Sequence, residues 1–97
     1  MENIFLPNQR ILILQGLEKD AGRTLSNEML QRLLKSYGHT VSIADVNAQV
    51  NWLERRGYVR TERLADKALV LAKLTRPGLD VALGLLRADG IDPPFEE

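Results

Sequence analysis

Apolar residues recur along the chain first at helical spacing, then at strand spacing, and finally at helical spacing again. Ile13, Leu14 and Leu17 share one face of residues 8–20, which predicts a first helix. The linker at 21–25 contains a glycine and is suited to supply a brief strand. The pattern therefore starts with a helix and a short extended segment.

The second and third helices are predicted by their end signals as well as by their period. Ser26 and Ser42 each precede a helical pattern and are suited to cap it, and Asp45 completes a capping-box-like arrangement with Ser42. Gly38 and Gly57 stand where these two helices are expected to end. A glycine-ended helix, a short turn and a capped helix are what a helix-turn-helix requires.

The period changes from 3.6 to 2 after Gly57, so residues 58–63 and 69–74 are predicted to form a β-hairpin. Thr75 is suited to cap a final helix with a core stripe of Leu79, Ala82, Leu83 and Leu86. This order predicts a mainly α winged helix-turn-helix, with a three-helix core, a hairpin wing and a C-terminal helix. We expect one domain over residues 1–89, followed by a flexible acidic tail at 90–97.

Composition excludes several classes of protein. Ninety-seven residues with 44% hydrophobic content fit one folded domain. The chain has no cysteine and one histidine, which argues against thiolate chemistry and a zinc site. No catalytic motif or phosphate-binding glycine loop is present, so we expect neither an enzyme nor a bound cofactor. Without a signal-peptide or membrane-spanning pattern, we expect a cytoplasmic protein.

Charge is uneven along a chain whose formal net charge is zero. Residues 55–76 hold seven basic and two acidic side chains, whereas residues 77–97 hold one basic and five acidic side chains. Such asymmetry often indicates an interaction surface, although a solvated charged face on any small domain gives the same pattern.

Three passages carry a resemblance to a known group of proteins. Residues 33–42, 50–59 and 74–82 resemble the small winged-helix proteins of Mu-like phages and prophages, a group described as similar to arsenical-repressor-type regulators. Within 50–59, the run from Leu53 to Val59 is similar to the passage from recognition helix to wing in many bacterial winged-helix proteins. The resemblance implies a winged-helix fold and a phage context, and it implies no reaction.

The third helix is the predicted DNA-reading element. If its apolar stripe is buried, small and polar residues face outward: asparagine is suited to an adenine edge, alanine to a thymine methyl, and arginine to guanine or phosphate. Hydroxyls and backbone amides at the start of this helix, Gln49 on its flank, and basic residues of the hairpin are suited to phosphate contacts. The predicted DNA-binding residues are Thr40, Ser42, Ala44, Asn47, Ala48, Asn51, Arg55, Arg60, Arg63 and Lys67. The alternative is that these residues are only a solvated helix face and a solubilising basic strip.

Two further interpretations concern assembly. The first and last helices have apolar residues in excess of one core stripe, which predicts a homodimer through Ile11, Leu12, Val81 and Leu85. Alternatively, the last helix and the tail cover the first helix of the same chain. Trp52 is expected to pack under the hairpin rather than to anchor a partner.

The sequence thus favours a winged-helix protein that binds double-stranded DNA, as a regulator or an accessory factor acting on phage DNA. The alternative function is a non-catalytic adaptor that uses the same scaffold to bind a phage protein in assembly or packaging.

Overall fold

The computed structural model describes residues 3–66 and 68–95, and within them the predicted winged helix-turn-helix is confirmed. The elements in chain order are α1 (Leu6–Lys19), β1 (Thr24–Ser26), α2 (Asn27–Ser36), α3 (Ile43–Arg55), β2 (Val59–Leu64), β3 (Leu69–Leu74) and α4 (Arg76–Ala82). The three strands form one antiparallel sheet in which β3 lies between β1 and β2. No helix in these two ranges is long and apolar enough to cross a membrane.

The caps of α2 and α3 follow the predicted pattern. The Ser26 hydroxyl accepts a hydrogen bond from the Met29 N–H, and Ser42 and Asp45 form a complete capping box. Gly38 has a φ of +93°, a left-handed conformation that glycine adopts without steric cost and that lets the chain leave α2. The helix-turn-helix joint is therefore specified by local chemistry.

The last helix is shorter than predicted. Thr75 caps α4 as expected, its side chain accepting from the Gly78 N–H, but α4 ends at Ala82. Gly84 has a φ of +79° and turns the chain away, because a left-handed residue ends a helix. Leu83 and Leu86, predicted as core, are consequently 50% and 44% exposed. The left-handed glycine therefore accounts for the early end of α4.

The first helix is buried on more than one side. It packs against α2 and α3 and also against α4 and β3. Ile11, Leu12 and Val81 are each no more than 3% exposed, so they belong to the core of this chain. The prediction that these three residues form a dimer interface is wrong, because the excess apolar surface of α1 is covered by the same chain. Leu85 is 74% exposed and is the one member of the predicted set on the surface.

The C-terminal segment also lies on α1. Ile91 is buried, the Asp92 N–H donates to the Pro7 carbonyl, and the backbone of Phe95 exchanges two hydrogen bonds with the Gln15 side chain. Residues 90–95 of the predicted flexible tail are thus packed against the domain rather than extending from it. Residues 96 and 97 lie outside the described residues.

Candidate nucleic-acid interface

Helix α3 turns one face into the core and the opposite face outward. Val46, Val50 and Leu53 are fully buried. Ala44, Ala48 and Arg55 are exposed on the other side, as the helical period requires. The described parts of the chain do not cover this outer face.

The structure distributes the predicted DNA-binding residues around that face. Asn47 and Asn51 are half-buried at its edge, and Lys67 lies outside the described residues. The exposed members of the set are Thr40, Ser42, Ala44, Ala48, Arg55, Arg60 and Arg63.

A fully buried asparagine, which the sequence analysis did not single out, holds one edge of the face. The Asn27 Oδ1 accepts hydrogen bonds from the N–H groups of Glu28 and Val70, and its Nδ2 donates to the Ala68 carbonyl and to Asn47 Oδ1. Asn27 follows the last residue of β1, so its side chain satisfies the Val70 N–H just beyond the end of the β1–β3 pairing. It thereby ties α2, β3 and α3 together. In the sequence, Asn27 is distinguished only by its position directly after the N-cap Ser26.

The hairpin is fastened to α3 by a second polar cluster. The Arg63 guanidinium donates to Asn51 Oδ1 at 2.7 Å and to Thr61 Oγ1 at 2.6 Å, and it lies 3.7 Å from Glu54 Oε1. The Glu54 carboxylate also accepts from the N–H and the hydroxyl of Thr61. Arg63, predicted as a phosphate contact, is therefore engaged within the protein, and Arg55 and Arg60 are the exposed arginines of α3 and β2 that remain outside this cluster.

The start of α3 is less suited to phosphate than the sequence indicated. The capping box already uses the backbone N–H groups of Ser42 and Asp45, at 3.2 and 3.0 Å. The Asp45 carboxylate also places negative charge at this helix end. Two of the backbone amides at this helix start are therefore engaged, and the phosphate contact there stays a prediction.

The other flank of α3 is closed by α1 and the C-terminal segment. Gln49 is buried and accepts from Arg10 Nε at 2.8 Å, so it is not the predicted phosphate contact. The Trp52 ring lies between the guanidinium groups of Arg10 and Arg56, 3.8 and 4.2 Å from its centroid. A Cβ on Gly90 would stand 3.0 Å from this ring, which shows how closely the C-terminal segment approaches it. The prediction that Trp52 packs under the hairpin is wrong: the ring faces α1 and residue 90.

Comparison with known proteins supports both the phage context and the fold. The chain is 33% identical over 94 residues to the uncharacterized protein gp26 of Escherichia phage Mu, covering 97% of this chain and 95% of the phage protein. It is also 30% identical over 69 residues to an uncharacterized protein of Haemophilus influenzae, covering 71% of this chain and 67% of that protein. No family model matches the chain.

Two solved structures of MarR family transcriptional regulators from Streptomyces coelicolor are similar in fold. Sco3205, solved in complex with DNA, shares 27% identity over 76% of this chain with a TM-score of 0.64, and AbsC shares 22% over 78% with a TM-score of 0.65. The chain covers 44% and 49% of these proteins, which is less than half of either. The match to gp26 spans nearly the whole of both chains, and this protein therefore belongs to the gp26 family as a small winged-helix protein of Mu-like phages.

Proposed function

We propose that the protein binds double-stranded DNA through α3 and the hairpin, as a non-catalytic regulator or accessory factor acting on phage DNA. The observation that carries this proposal is the outer face of α3, on which Ala44, Ala48 and Arg55 are exposed, with Arg60 exposed on the adjoining β2 strand. Small side chains let a helix approach base edges closely, and arginines at its end and on the wing are placed to neutralise phosphates. The DNA complex of Sco3205 gives the same fold a precedent for this use.

The number of available basic groups limits how tightly one copy can bind DNA. The strength of duplex binding depends largely on the number of phosphates neutralised, and each contact adds about 0.9 to the slope of log affinity against log salt. With Arg63 engaged by Asn51 and Thr61, few basic groups of the described face are left for phosphate. We therefore expect weak binding by one copy, with a salt slope set by only a few phosphate contacts.

The first prediction tests the exposed arginines of α3 and the hairpin. In a salt titration of duplex binding, the double variant Arg55→Ala with Arg60→Ala is expected to reduce the salt slope by about two, because two phosphate contacts are lost. The measurement is fluorescence anisotropy on labelled phage DNA fragments at several ionic strengths.

Arg87→Ala is the matched control, since this exposed arginine follows α4 and lies on neither α3 nor the hairpin. It should leave the slope unchanged. If the wild-type protein binds no duplex at low salt, or if all variants share one slope, α3 and the hairpin are not a DNA-binding surface. A role as an adaptor for a phage protein would then replace the proposal.

We also propose that two copies bind together, through the leucines that follow α4. Leu83, Leu85 and Leu86 are exposed within four consecutive residues, an unusual concentration of apolar surface on a small domain. A second copy is the occupant favoured here, because one copy offers too few basic groups for tight duplex binding.

The second prediction is that Leu85→Glu converts a dimer into a folded monomer. Because Leu85 is 74% exposed, the change should alter the free energy of unfolding by no more than about 0.5 kcal/mol in the monomer. Light scattering gives the mass, and Met29→Glu, at an exposed apolar residue on α2, is the control expected to remain dimeric. A wild-type protein that is monomeric at high concentration and on DNA would contradict the dimer.

A further inference from the structure

We propose that Asn47 and Asn51 present only their NH₂ donors to DNA, so that these two side chains select acceptor groups such as those of guanine and thymine and do not read the amino groups of adenine or cytosine. This inference rests on the proposed DNA-binding function and deepens it. It follows from the direction in which the side-chain amides of Asn47 and Asn51 are turned.

The orientation of Asn47 is fixed by backbone groups that have only one possible role. The side chain of Asn27 faces two backbone N–H groups, which only donate, and the Ala68 carbonyl, which only accepts. Asn27 must therefore direct its oxygen to the N–H groups and its Nδ2 to the carbonyl. The same Nδ2 donates to the Asn47 side chain at 3.1 Å, so the accepting atom of Asn47 must be its Oδ1. The NH₂ group of Asn47 is left for the outside.

The orientation of Asn51 is fixed by an arginine. A guanidinium has five donors and no acceptor, so the 2.7 Å contact from Arg63 Nη2 requires the oxygen of Asn51. Arg63 is held in place from its other side by Thr61 and Glu54. The NH₂ group of Asn51 is therefore the end of the amide that is left for DNA.

Both NH₂ groups reach solvent. Neither Nδ2 donates to another described residue, and no buried side-chain nitrogen or oxygen in the described part of the chain lacks a partner. An unpartnered Nδ2 on a half-buried asparagine must then be accessible. Arg55 adds further donors, and Ala44 and Ala48 add methyl groups, to the same outer face of α3.

The chemistry of base edges decides what such a face recognises. Guanine presents two acceptors in the major groove, N7 and O6, and thymine presents the O4 acceptor beside a methyl group. Adenine also presents the N7 acceptor, but adenine N6 and cytosine N4 are donors and require an acceptor from the protein. The bidentate adenine contact predicted from sequence uses both ends of an asparagine amide, and here the oxygen ends of Asn47 and Asn51 are directed to Asn27 and Arg63.

The third prediction uses in vitro selection from a random duplex library. The wild-type protein is expected to enrich guanine and thymine at the positions read by α3. Replacing such a guanine with 7-deazaguanine should lower affinity about tenfold, and replacing such a thymine with uracil should lower it several-fold, as expected for the loss of one acceptor or one methyl contact. Replacing an adenine in the site with purine, which lacks the N6 amino group, should leave affinity unchanged.

Asn51→Asp sharpens the test, because the carboxylate keeps an acceptor for Arg63 and turns an acceptor outward in place of the donor. It is expected to change the preference at one position from guanine or thymine to cytosine, whereas Asn51→Ala should lose the preference there. Arg87→Ala lowers net charge by the same one unit and controls for the general loss of affinity. Thermal unfolding verifies that each variant is folded.

The outcomes separate this inference from the proposed function. Duplex binding that loses affinity when an adenine N6 amino group is removed would overturn the donor-only assignment of Asn47 and Asn51 and leave DNA binding intact. Equal binding to all sequences would also overturn it. Absence of duplex binding would overturn both.

Discussion

Replacing Gly78 with alanine is expected to lower the free energy of unfolding by about 3 kcal/mol, because overpacking against a rigid neighbour is costly. Gly78 is buried in the first turn of α4, where an added Cβ would overlap the backbone carbonyl oxygen of Tyr58 and approach Leu74 Cδ1 to 2.9 Å. That carbonyl accepts the Thr75 N–H at 3.2 Å, so it is fixed at the junction of the hairpin and α4. The only relief is to move α4 away from the hairpin.

Gly16→Ala is the matched control on α1. Its added Cβ would meet the end of the half-buried Leu33 side chain, which can rotate away, whereas a backbone carbonyl cannot. The higher helix propensity of alanine, worth about 1 kcal/mol, offsets part of the repacking cost. We expect Gly16→Ala to change stability by no more than about 1 kcal/mol in urea denaturation. Equal losses for the two variants would show that the Tyr58 carbonyl is not a rigid barrier.

Replacing Asn27 with alanine is expected to cost about 2–4 kcal/mol of stability, because a buried polar group that loses its partner is not compensated by water. The variant leaves the Val70 N–H without its side-chain acceptor and the Ala68 carbonyl without its side-chain donor. It also releases Asn47, whose oxygen then becomes available on the outer face of α3. Sequence preference at the position that Asn47 reads should therefore weaken together with stability.

Gln31→Ala provides the comparison for Asn27→Ala. The Gln31 side chain makes one hydrogen bond, to the Val41 carbonyl, from a half-buried position, so its loss should cost about 1 kcal/mol. Urea denaturation measures both variants, and the selection experiment reads the change in base preference. A cost for Asn27→Ala no larger than that for Gln31→Ala would contradict the role of Asn27 as a link between α2, β3 and α3.

Particular residues show how far local patterns determine the fold. The caps at Ser26 and Ser42 form as predicted, because an N-cap involves groups only two or three residues apart. The inward side of β3 is also as predicted, with Val70, Ala72 and Leu74 buried, because a two-residue period defines the two faces of a strand. The end of α4 also depends on a local signal, because the left-handed Gly84 stops the helix just beyond Ala82.

The candidate site was predictable only as a helix face. Helical spacing placed Ala44, Ala48 and Arg55 together, and the structure leaves all three exposed. The hydrogen bond from Arg63 to Asn51 joins residues 12 positions apart, and the hydrogen bond from the Val70 N–H to Asn27 joins residues 43 positions apart. No period in the sequence records such pairings, since they depend on which elements become neighbours.

The amino-acid sequence alone determined the order of the helices and strands, the caps between them and the outward side of the third helix, because each depends on residues close together in the chain. Tertiary structure decided that Ile11, Leu12 and Val81 are core, that residues 90–95 lie on α1, and which end of Asn47 and Asn51 faces outward. Those outcomes depend on packing between segments that are distant in the chain. Packing decides which apolar surfaces cover each other and which backbone donors and acceptors lie next to each side-chain amide.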